Sequence, residues 1–187
     1  VKALVTGATG FTGGHLARWL PAQGDTVRAL VRDPSRAAGL SGEGIEIVTG
    51  DLTDPASLRR AAEGVDVIYN IAALYRTAGL PEASYRAVNA TGVGAIVEAA
   101  AAAGVRRVVH CSTVGVHGHI DGPPANEDAP LRPGDVYQET KLEGERIGHD
   151  AAARTGVELV ITRPSGIYGP GDRRLFKLFG KIAQRRF

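Results

Sequence analysis

Tyr137 and Lys141 lie four residues apart in the segment VYQETK. On a helix that spacing puts both side chains on one face, a turn apart. A lysine ammonium beside a phenol favours the phenolate. The pair is therefore expected to draw the tyrosine's pKa down to where it exchanges a proton with an alcohol or carbonyl oxygen. Thr113, or Ser112 beside it, follows the apolar run Val105–Cys111 and is placed to hydrogen-bond the same oxygen. Alone, the YxxxK spacing also describes a solvated helix face with a packed tyrosine. A second motif, near the start of the chain, gives it chemical weight.

Residues 6–14 read TGATGFTGG, with Gly7, Gly10 and Gly13 in the spacing GxxGxxG. The apolar run Ala3–Val5 precedes this turn, and a helical pattern carrying Leu16, Trp19 and Leu20 follows it. Such glycines let the chain bend at positive φ, approach a pyrophosphate and pack helix closely on strand. The phosphates would meet a helix N-terminus, where N–H groups and the macrodipole favour negative charge. A strand, a glycine turn and a helix in succession form the context expected of a dinucleotide clamp. With a proton-transfer tyrosine, the clamp describes hydride transfer at a carbinol or ketone carbon.

These groups need a scaffold, and the chain alternates strands with helices throughout. Strands are expected at Ala3–Val5, Thr26–Val31, Ile45–Val48, Val65–Ile71, Val105–Cys111 and Val157–Thr162. Long helices are expected from Pro81 to Ala103 and from Val136 to Thr155. This order implies an α/β doubly wound parallel sheet, a Rossmann fold, with ligands at the carboxyl ends of the strands. At the tip of the second strand an acid would bind a ribose 2′-OH and an arginine a 2′-phosphate. Arg32 there favours NADP, while Asp33 beside it keeps NAD possible; an exposed loop ion pair is the plainer reading. Asp51 either accepts from the adenine amino group or caps the helix opened by Asp54 and Pro55. Small residues at Asn70–Ala73 would let a cofactor lie close to the fourth strand's end.

At 187 residues the chain can bury one sizeable core, and 43% hydrophobic with 22% charged residues is ordinary for a globular protein. A net charge of +2 argues against a dedicated nucleic-acid partner. No apolar run reaches membrane-spanning length, and the first residues lack the pattern of a signal peptide. Cys111 is the only cysteine, so an intrachain disulfide is impossible and a cytoplasmic location is expected. The Gly- and Pro-rich stretch 114–135 reads as a functional or flexible loop. Its histidines, His117 and His119, lack metal-site spacing, so no metal is expected. A final helix beginning near Arg173 mixes Leu175, Phe176, Leu178, Phe179 and Ile182 with basic residues; packing on the fold is favoured over membrane binding.

Taken together, the motifs resemble those of the extended short-chain dehydrogenase/reductase family, the NAD-dependent epimerase/dehydratase group. TGATGFTGG is similar to its TGxxGxxG clamp, Asp51-Leu52 to its adenine contact and NIAA at residues 70–73 to its cofactor-lining strand end. YRAVNATG, CST, YQETK and RPSGIYGPGD match further segments in the family's order. The resemblance implies that Tyr137 is the acid/base and that Lys141 lowers its pKa and holds the nicotinamide ribose. Thr113 would orient the substrate oxygen, with Ser112 as its neighbour in that role. Gly7, Thr9, Gly10, Phe11, Thr12, Gly13, Arg32, Asp51, Leu52, Ala72, Ala73, Pro164 and Ile167 would line the cofactor. For Asn89 a structural role stays open.

Family dehydratases carry an Asp-Glu pair where this chain has Val114 and Gly115, so it is expected not to be a dehydratase. The resemblance further implies a cofactor domain at 1–170 and, from 171, the start of a C-terminal substrate domain that lies mostly beyond Phe187. A small-molecule substrate follows, as does a homodimer through helices 82–103 and 136–155. The leading expectation is a dihydroflavonol-reductase-like reductase or dehydrogenase. The alternatives are a nucleotide-sugar epimerase with tightly held NAD, suggested by the loop PPANEDAPLRPGDVY, and a non-catalytic NADP-sensing module.

Overall fold

A computed structural model describes residues 1–77, 79–172 and 176–186. The chain runs β1 (Lys2–Thr6), α1 (Phe11–Ala22), β2 (Thr26–Val31), α2 (Ala38–Ser41), β3 (Glu46–Thr49) and α3 (Pro55–Ala62). It continues with β4 (Val67–Asn70), α4 (Glu82–Arg86), α5 (Gly92–Ala102), β5 (Arg107–Cys111), α6 (Val136–Thr155), β6 (Glu158–Thr162) and α7 (Phe176–Ala183). The six strands form one parallel sheet in the order β3-β2-β1-β4-β5-β6. The chain starts in the middle, winds to one edge, then returns and winds to the other. The crevice at this reversal, between β1 and β4, is where such folds bind ligands.

Helices cover both faces, which is why the strands are nearly continuous apolar runs. Ala3, Leu4 and Val5 of β1 have no exposed surface. On one face Leu4, Ile68 and Val108 pack with Leu58, Ile96 and Val97 from α3 and α5. On the other Ala3, Val5, Ala29 and Val31 pack with Ala17, Leu20 and Leu40 from α1 and α2. Burial of this kind contributes about 25 cal/mol per Å² of apolar surface. It fixes the sheet that carries the site.

Most boundaries differ from the sequence expectation by a residue or two, and three differences have a visible local reason. The fourth strand ends at Asn70 because the Ile71 and Ala72 N–H groups leave the ladder and donate to Thr6 Oγ1, both at 3.0 Å. The fifth starts late because the Val105 N–H donates to Ala100 O, capping the preceding helix. The expected single helix at 81–103 is α4 and α5 joined by a π-helical turn, Ala87–Thr91. The expected start of the last helix, with Leu175, lies outside the described residues. Among the described residues no helix is long and apolar enough to cross a membrane.

Candidate functional site

The glycine turn joins β1 to α1 over the carboxyl edge of the sheet. Gly7 has φ +69, and a Cβ there would come within 2.8 Å of Ala72 N. At Gly13 a Cβ would come within 2.4 Å of Gly7 O, so α1 packs onto the turn only without a side chain. The cleft above, about 590 Å³, is lined by Gly7, Thr9, Gly10, Phe11, Thr12 and Gly13 on this side. Arg32, Asp51, Leu52, Ala72, Ala73, Pro164 and Ile167 line it as well, together with Ser112, Thr113 and Tyr137. A backbone cradle at a helix N-terminus, in a cleft of this size, fits an extended dinucleotide.

At the β2 end the two charged neighbours separate. Asp33 Oδ1 accepts from Ser35 N at 2.9 Å and Ser35 Oγ at 2.7 Å, capping the short turn 34–37. The Ser35 hydroxyl, then its N–H, hold this exposed carboxyl below its ordinary range. Arg32 and Arg36 both line the cleft. Asp51 also lines it, with Oδ1 accepting from Thr53 N at 2.8 Å. The cap of α3 is Asp54, which accepts from Ala56 N, so the capping alternative for Asp51 is corrected.

Asp135 caps α6 by accepting from Gln138 N at 2.8 Å, which sets Tyr137 in the first turn, facing the cleft. The Tyr137 ring meets Tyr75 edge to face at 4.9 Å. Thr113 Oγ1 accepts from Gly115 N at 3.1 Å at the end of β5. The buried Ser112 hydroxyl points inward and donates to Glu145 Oε1. Lys141, with no exposed surface, donates to Cys111 O at 2.7 Å, and its Nζ lies 3.3 Å from His110 Nε2. The expected depression of the tyrosine's pKa is therefore corrected. Burial pushes the phenol up to about 12, with Cys111, Tyr75 and Asp135 adding and Arg76 opposing. Burial brings Lys141 down to about 8, against the pull of Cys111 and Glu145.

Other polar groups behind the cleft escaped the sequence reading. Buried Thr6, Asn70 and His110 form a hydrogen-bonded row beneath it. Buried Glu145 receives Arg163 Nη2 at 2.7 Å, and Arg163 Nη1 lies 3.1 Å from His117 Nε2. This ties the loop after β5 to α6 and β6. The Asn89 side chain, central in the π turn, bonds Leu74 N and O and Thr140 Oγ1, which is a structural tie. A polar residue at or near the close of an otherwise apolar strand was the available signal for Asn70 and His110; nothing local marked Glu145.

The model of the NAD-dependent epimerase/dehydratase family matches residues 3–186. Sterol demethylase protein B of Methylococcus capsulatus is 40% identical over 179 residues, covering 93% of this chain and 54% of that protein. A ceramide reductase of Caulobacter vibrioides is 35% identical over 181 residues, covering 96% and 50%. The chain thus spans about half the length of the curated relatives it matches. The solved structure of a dTDP-glucose 4,6-dehydratase double mutant from Streptomyces venezuelae, with NAD and DAU bound, aligns with a TM-score of 0.86. Its identity is 30%, over 99% of this chain and 63% of that one. With a dehydratase among the neighbours, the expectation that this chain is not one gains no support from the comparison. The family match runs nearly end to end over the sheet and cleft described above, and the chain belongs to the NAD-dependent epimerase/dehydratase family.

Proposed function

We propose that this chain is the cofactor-binding part of an NADP-preferring reductase or dehydrogenase that acts at a ketone or carbinol carbon of an apolar molecule. One observation carries the reading: Tyr137 and Thr113 line the same cleft as the glycine turn. A bound dinucleotide supplies or accepts the hydride. In reduction, Thr113 would donate a hydrogen bond to the carbonyl oxygen of the substrate, and the protonated Tyr137 phenol would give that oxygen its proton. A phenol pushed up to about 12 is the acid form at neutral pH. Ser112 is left out of this role because its hydroxyl is committed to Glu145.

Arg32 and Arg36 favour a 2′-phosphate, since both line the cleft while Asp33 is turned into its own cap. Leu74, Tyr75, Val114 and Ile167 line the cleft with Tyr137, beside the polar Arg76, Gln138 and Ser165, and the Tyr75 ring meets that of Tyr137. Relatives named for sterol and ceramide chemistry are consistent with that lining. Val114 and Gly115 offer no acid and base for elimination, which favours plain hydride transfer.

A second reading, a nucleotide-sugar epimerase with held NAD, rests on the 123–137 loop sequence and the NAD-bound neighbour. The test of hydride transfer is Tyr137→Phe in the longest natural form of the protein. Turnover should fall by at least about 10²-fold with dinucleotide affinity nearly unchanged. Retained turnover would remove Tyr137 as the acid.

A further inference from the structure

Strand β6 lies at the edge of the sheet, with β5 and β4 between it and β1. At about 4.8 Å between neighbouring strands, the chain leaving β6 must cover roughly 14 Å to reach the glycine turn after β1. It does so within residues 163–170, across the carboxyl ends of β5 and β4. One end of this strap is pinned: Arg163 bonds Glu145 and the Glu127 carbonyl, and Pro164 O accepts from Val114 N at 3.1 Å. At the other end Asp172 is buried, and its N–H donates to Gly169 O at 3.1 Å, forming a turn that presents Pro170. Between the two, residues 164–167 line the same cleft as the glycine turn. The tip meets α1. His15 Nε2 lies 2.9 Å from Pro170 O, 155 residues away in sequence, and a carbonyl only accepts, so the ring donates. The Phe11 ring packs edge to face on His15 with centroids 5.0 Å apart, and a Cβ on Gly169 would sit 3.9 Å from it.

His15 is exposed, and α1 is held to the sheet by Ala17 and Leu20. The His15 side chain is thus not what packs α1; its bond ties the glycine-turn side of the cleft to the strap on the other side. We propose that His15 is a positioning residue that latches residues 165–171 across the cleft, and that breaking its bond to Pro170 is the step that admits and releases the dinucleotide. Lifting this middle portion leaves the anchors at Arg163 and Asp172 in place. One exposed hydrogen bond holds a strap only modestly, because water competes for both partners. A latch of that strength suits a cofactor exchanged at every turnover, as a reductase requires, and exchange of this kind often limits the rate of such enzymes.

The latch rests on the cleft holding a dinucleotide, and the test separates the two. NADPH and NADH would each be mixed by stopped flow with the longest natural form of the protein and with its His15→Leu and His15→Gln variants. Nicotinamide fluorescence would follow binding, and then displacement by excess oxidised dinucleotide. Loss of the latch raises the open fraction in the free and the bound protein alike. In His15→Leu the association and dissociation rates should therefore both rise, by at least about threefold, with affinity nearly unchanged. His15→Gln keeps an N–H near the position of Nε2 and should restore the slower rates. A dissociation rate that rose alone, with affinity falling by the same factor, would make His15 a plain stabiliser of the complex and overturn the proposal. Unchanged rates would overturn it too. Binding of neither dinucleotide to the unsubstituted protein would overturn the cofactor reading and the latch with it.

Discussion

Lys141 has no exposed surface, and burying its charge is costly. Its folded pKa of about 8 lies below its ordinary 10.5, so between these values the unfolded chain binds more protons than the folded one. Stability then rises with pH through that window, and below about pH 8 the whole cost is present. Lys141→Met should stabilise the protein at pH 7 by up to about 3 kcal/mol, less the lost hydrogen bond to Cys111, with the gain fading as pH rises toward 10. Thermal melts of both proteins across that range measure it. A variant less stable at every pH would mean that the ammonium is well solvated or paired. The Tyr137–Lys141 spacing was legible in the sequence, because four residues on a helix share a face. Their mutual electrostatics were not, since the direction of Lys141 is set by Cys111 O and His110, far away in sequence.

The helices α5 and α6 show how elements bring the tyrosine to the cleft. α6 approaches the π turn so closely that a Cβ on Gly144 would lie 2.1 Å from Asn89 O. A Cβ on Gly94 would lie 2.7 Å from the Ile147 side chain. Gly144→Ala must push α6 outward and carry Tyr137 with it. We expect a loss of about 2 kcal/mol and a melting temperature lower by roughly 5 °C. An unchanged melting temperature would mean that the contact relaxes at no cost. Both helices were visible as apolar periodicity, as was the glycine turn between strand and helix. The π turn was not, because Asn89 earns its place by bonding Leu74 and Thr140, contacts made only after the chain folds. Strand ends moved for the same kind of reason: Ile71 reads as strand, yet its N–H serves Thr6.

Across the whole chain, the parallel sheet follows from the alternation of strands and helices, and the cleft falls where the winding reverses. We further propose a homodimer through α4–α5 and α6, tested by mass in solution at micromolar concentration; a monomeric mass would count against it. Dinucleotide use rests on Gly7 to Gly13 and on Arg32 and Arg36, which line one cleft, with Asp33 engaged by Ser35. Calorimetric titration of the chain with NADPH and with NADH tests this most directly, alongside Arg32→Ala. One NADPH should bind per chain, at least about tenfold tighter than NADH, and Arg32→Ala should abolish most of that difference. Failure to bind either dinucleotide would contradict the cleft's assignment, and equal affinities would contradict the preference for the 2′-phosphate.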